Sequence, residues 1–166
     1  MKNNIYIHYG SKEFDKNRFL KIRNRDGWVK PFGGLWASNV KAEFGWKDWL
    51  ICESYWNDKV ENEFNQYYKN GYFLFKLYTD KILTIKSDKQ LDEIMLKYKS
   101  NTRYTNEFSI FKILDFEKLA NDYDAIEIII SNDYKLNMSL AGWDCDSILV
   151  FNPDIIEVVK DEIMAL

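Results

Sequence analysis

Apolar residues along the chain gather in a short alternating run near the N-terminus, in short continuous β-branched runs near the C-terminus, and in helical and strand-like stretches between them. Ile5-Tyr6-Ile7-His8-Tyr9 alternates and stops at Gly10-Ser11, the pattern of a first strand. Residues 12–30 set Phe14, Phe19, Leu20 and Ile22 singly among Lys, Arg, Asp and Asn and read as an exposed loop or short helix. Gly33-Gly34 permits positive φ and close backbone approach, and the next residues predict a short strand presenting Trp36 on one face. Residues 41–57 carry Phe44, Trp46, Trp49, Leu50, Tyr55 and Trp56 at a helical period, which predicts an aromatic helix. Residues 58–70 are polar and read as loop. Tyr72–Tyr78 and Ile82–Ile85 predict a strand pair turning at Thr79-Asp80. Ser87 with Gln90 is a capping box that opens a helix through Leu91, Ile94, Met95 and Tyr98. Residues 99–109 read as a polar, functional loop, and 115–119 as a short helix. Tyr123–Ile130 and residues 143–153 are β-branched runs on either side of a polar loop and predict a second strand pair; residues 154–164 close the chain as a strand or helix.

Asp144 and Asp146 stand where the last of these runs begins, and a side-chain period of two aims both carboxylates at one face. Two neighbouring acids repel and add no packing, so they either serve chemistry or mark a solvated loop end, where Asp is common. His8, at the end of its strand, has the same two readings, structural or chemical. The aromatic helix reads as core packing or as a stacking platform.

Length and composition narrow these choices. The 166 residues suit one domain spanning 1–166, and the elements collect into an α+β fold of two packed, mainly antiparallel sheets with flanking helices. Twenty-three Lys+Arg against 26 Asp+Glu give a net charge of −3, so no global basic field draws the chain to nucleic acid or anionic membrane. Arg18, Arg23 and Arg25 make residues 12–30 locally basic, which reads as a solvated face before a basic groove. No apolar run is long enough to span a bilayer and MKNNIYIHYG has no signal-peptide core, which predicts a soluble, cytoplasmic protein. Two distant cysteines and one histidine argue against a disulfide framework and a zinc site, and no metal is expected. Gly33-Gly34 lacks both the Lys-Ser/Thr of a P-loop and the spacing of a dinucleotide fingerprint.

The order of three short motifs resembles a known family. His8-Tyr9-Gly10-Ser11, Gly34-Leu35-Trp36-Ala37-Ser38 before an aromatic helix, and Asp146-Ser147-Ile148-Leu149-Val150-Phe151 late in the chain look like the mono-ADP-ribosyltransferase superfamily. The branch they are most similar to is that of diphtheria toxin and the poly(ADP-ribose) polymerases, in its small bacterial and phage members. The resemblance implies an ADP-ribosyltransferase-like fold and NAD as the substrate. It implies that His8 bonds the adenosine-side ribose and that the backbone at Tyr9 and Gly10 grips the nicotinamide amide. Trp36 would pack on the nicotinamide ring, with Ser38 supporting the cleft. Asp146 falls at the family's catalytic acid, which stabilises the oxocarbenium ion formed when the glycosidic bond breaks. Asp144, two residues earlier, matches the second acid of arginine-modifying members and implies an arginine on a target protein as acceptor. Tyr9 follows the histidine where that branch has glycine, and the acid is Asp rather than Glu. Three expectations follow: a transferase acting as a toxin or phage effector, an inert NAD-binding module of the same fold, and a protein-interaction or inhibitor domain.

Overall fold

The computed structural model describes residues 4–56, 70–101 and 111–159 and has an α+β architecture. Its strands are β1 (Tyr6–Tyr9), β2 (Leu35–Asn39), β3 (Tyr72–Leu77), β4 (Ile82–Ile85), β5 (Ala125–Ile128), β6 (Ser147–Val150) and β7 (Ile156–Val159). Its α-helices are α1 (Trp46–Trp56), α2 (Asp88–Tyr98), α3 (Phe116–Asp122) and α4 (Tyr134–Ser139). Most of the loops expected at 58–70 and 99–109, and the chain after 159, lie outside the described residues.

The strands pair in the order β4-β5-β6-β2-β1-β3-β7, antiparallel except for β4 with β5. The two separate sheets expected from the sequence are therefore one ladder. The reason lies in β2, whose residues Leu35–Ala37 pair with β6 while Ser38 and Asn39 pair with β1. The expected β3–β4 hairpin is also corrected. Tyr78 donates its N–H to the Ile155 carbonyl, the Thr79 hydroxyl donates to Asp124, and the Asp124 N–H bonds the Lys81 carbonyl at 2.9 Å. Those bonds commit the connection to the start of β5, so β4 runs parallel to β5 while β3 stays between β1 and β7.

Both faces of the centre are buried, as the β-branched runs of β5 and β6 require. Ile126, Ile128 and Leu149 face a core built with Leu91, Tyr98, Phe116, Leu119 and Leu136 from the helices. Ala125, Ile148 and Val150 face the other way, in a core with Leu35, Ala37, Tyr6, Phe73 and Phe75. Ser87 caps α2 by accepting from the Gln90 N–H, and the Gln90 side chain reaches back to the Lys86 N–H at 2.8 Å. Helix α4 occupies the segment read as polar loop. Asp133 caps it through the Lys135 and Leu136 N–H groups, and Leu136 and Leu140 anchor it in the core.

Candidate functional site

The strand order brings the end of β1, the middle of β2, the start of α1 and the approach to β6 around one cleft of about 470 Å³. His8, Tyr9, Trp36 and Asp144 line it, joined by Lys30 and by Trp46 and Trp49 from α1. A second cavity of about 240 Å³, with Gly10, Arg18 and Gly34 on its walls, also has His8 in its lining. His8 thus stands between the two.

His8 is fixed by a 2.7 Å bond between Nδ1 and the Trp36 carbonyl oxygen. A carbonyl can only accept, so Nδ1 carries the hydrogen and Nε2 of the neutral ring is an acceptor. Burial lowers the His8 pKa, against a smaller opposing effect of the Trp36 carbonyl, which keeps the ring neutral at pH 7. Phe73 packs on the same ring at 5.1 Å.

Trp36 is held between Trp143 at 4.8 Å and the edge of Trp46 at 6.4 Å, and Trp46 meets Trp49 edge-on at 5.4 Å. The helix read from the sequence as aromatic therefore lends two of its tryptophans to the cleft. The indole N–H of Trp46 is buried and has no partner. Lys30 pairs with the Asp144 carboxylate while its ammonium lies 5.6 Å from the Trp36 ring and 5.5 Å from that of Trp46. Nothing in the sequence marked Lys30, whose partner is 114 positions away.

Three predicted site residues, Ser38, Gly10 and Asp146, do not line this cleft themselves. Ser38 is buried and ties elements together: its hydroxyl donates to the Asp146 carbonyl at 2.7 Å and accepts the Trp46 N–H at 2.9 Å, setting the first turn of α1. Gly10 has φ 109° and donates its N–H to the Gly71 carbonyl, which leaves no amide hydrogen there to grip a ligand. Asp146 is buried with both carboxylate oxygens engaged. Oδ1 accepts from the N–H groups of Ile130 and Ser131 at 2.8 and 3.0 Å, and Oδ2 from the Ser131 hydroxyl at 2.7 Å. It borders a different cavity, with Asn4, Asn39 and Glu127.

The expectation that both acids share a face is corrected by the same geometry. Strand β6 starts only at Ser147, and a bend at Cys145 and Asp146 breaks the period of two before it. Asp144 turns to the cleft and Asp146 to the β5 end. Between them Cys145 is buried, which raises its thiol pKa to about 12 and leaves it without thiolate character.

Among the described residues no helix is long and apolar enough to cross a membrane, and no group of His, Cys, Asp and Glu has the arrangement of a metal site. Compared with protein-family models, curated proteins and solved structures, the chain matches none.

Proposed function

We propose that the chain is an NAD-using ADP-ribosyltransferase of the fold its motifs resemble, with Asp144 as the acid in the cleft. One observation carries the reading. His8 and Trp36, from segments far apart in sequence, line a single aromatic-walled cleft of the size ligand sites have, with Asp144 on its wall instead of the Asp146 that the resemblance implied.

The chemistry follows from what each group offers. The Nε2 acceptor of neutral His8 suits a ribose hydroxyl, and its place between two cavities suits a ligand with two ends. Trp36 and Trp46 supply flat apolar surface for a planar ring. Asp144 is the one carboxylate lining the cleft among the described residues, and it supplies negative charge where an oxocarbenium ion develops. The bond between C1′ and the ring nitrogen breaks, its electron pair leaves with nicotinamide, and a nucleophile of the acceptor closes on C1′ and releases a proton. The acceptor is a macromolecule, with an arginine side chain, which the resemblance implied, the first to test.

A second reading, binding without turnover, is favoured by the ion pair of Asp144 with Lys30 and by the engaged carboxylate of Asp146. Incubation with NAD labelled in its adenylate half, alone and with a lysate, separates the two. Transferred label and free nicotinamide, both lost in Asp144→Ala, are the expected result. NAD binding with neither product would leave the binding module, and no NAD binding would reject both.

A further inference from the structure

We infer that Trp36, Trp46 and Asp144 form a cage for a cationic ring, and that Lys30 is the tethered competitor that fills the cage in the resting protein. The ring's identity rests on the NAD reading; the cage does not.

The geometry is that of a cation site. Two indole rings lie within 6 Å of one ammonium, the range in which the negative face of an aromatic ring attracts a cation. A carboxylate completes the surround by pairing with that ammonium. The occupant is the chain's own Lys30, whose side chain stays a quarter exposed and has a solvent route by which to leave. An ammonium on a four-carbon stem exchanges one partner for another through rotamer changes alone.

Competition of this kind discriminates between the two charge states of a substrate that loses its charge in the reaction. An entering pyridinium replaces the ammonium against the same rings and the same carboxylate, so Asp144 never stands unpaired. Cleavage of the C1′–N bond leaves the electron pair on the ring nitrogen, and nicotinamide departs neutral. The positive charge passes to the ribosyl carbon and is discharged when the acceptor bonds there and gives up its proton. Neutral nicotinamide then meets a returning ammonium with no charge of its own. Lys30 thereby favours release of product over retention.

The test uses two probes, nicotinamide methylated on its ring nitrogen, a permanent cation, and nicotinamide itself. Calorimetric titration is expected to show the cation binding about tenfold tighter to Lys30→Met than to wild type, because the competitor is gone and the stem remains. Lys30→Arg should stay near wild type. Adding Asp144→Asn to Lys30→Met should undo the gain for the cation and leave nicotinamide unchanged. Weaker or unchanged cation binding in Lys30→Met would overturn the cage. A measurement on the wild-type chain needs no variant: acylation of Lys30, followed by peptide mass spectrometry, should speed up several-fold when the cation is added. Protection of Lys30 would make it a ligand-holding group and refute the inference. Neither result depends on NAD turnover, so a chain that tightens for the cation yet ignores NAD would reject the proposed function and keep the cage.

Discussion

Asp146→Ala removes a carboxylate that the fold uses, and its expected consequence is thermal. Wild-type Asp146 is 5% exposed and its carboxylate accepts three hydrogen bonds, from the Ile130 N–H, the Ser131 N–H and the Ser131 hydroxyl. Ser131 is exposed and can turn its donors to water, whereas Ile130 is buried and its N–H would be orphaned. A buried donor left without a partner costs about 1–3 kcal/mol, and hydrogen bonds to a charged acceptor contribute about 1.5–3 kcal/mol each. Allowing for rehydration at Ser131, a loss of about 3 kcal/mol is expected. For a chain of this size that is a drop of roughly 6–12 °C in melting temperature. Asp146→Asn keeps an acceptor for the backbone donors and lets the Ser131 hydroxyl accept instead of donate, so about 1 kcal/mol should be lost. Circular dichroism melts and urea titrations of the three proteins give both quantities. An Asp146→Ala protein that melts with wild type but no longer cleaves NAD would refute the reasoning. The carboxylate would then be dispensable to the fold and available to a substrate.

Asp144→Ala should behave in the opposite way, because partly exposed ion pairs contribute about 1 kcal/mol at most. A melting point within about 4 °C of wild type is expected, with NAD cleavage slowed about a hundredfold or more in a nicotinamide-release assay. His8 is the only histidine, and burial places its folded-state pKa below the unfolded value near 6.5. The unfolded chain therefore takes up its proton first as pH falls. Stability should be complete above about pH 6.5 and decline below it until the folded-state pKa is reached. His8→Gln should flatten that part of a plot of melting temperature against pH. Gly34→Ala should lower the urea midpoint by the equivalent of about 2 kcal/mol or more. Gly34 has φ +71°, and a Cβ there would lie 2.6 Å from Leu149 and 2.8 Å from the Val150 carbonyl.

What could be read in advance was local. The alternation at Tyr6–Tyr9, the β-branched runs at β5 and β6 and the Ser87–Gln90 box each encode their element within a few residues, and each formed. What could not be read was decided across the chain. Thr79-Asp80 has the composition of a hairpin turn, yet bonds to Asp124 and Ile155 send β4 elsewhere. Helix α4 hid in polar sequence because two core leucines and one capping aspartate suffice for so short a helix. Period-two reasoning holds only inside a strand, and Asp144 and Asp146 lie just outside one. The aromatic side of the cleft was visible as composition at Trp36, Trp46 and Trp49. Of the charged side only Asp144 was, since its pairing with Lys30 exists only once β2 and β6 are neighbours.

That neighbour relation also orders the assembly of the molecule in time. Leu35 lies opposite Val150 and Leu74 opposite Val159, so β2 and β3 wait for partners made more than eighty residues later. During synthesis neither can close its ladder until the segment from Ser147 onward has emerged. Pairings so distant must meet their loop-closure entropy before any contact repays it, which places the chain among slow folders, on a scale of milliseconds to seconds. Until then the unpaired rims of β2 and β3 are the surfaces on which the nascent protein would aggregate, and a truncation before β6 would make that condition permanent.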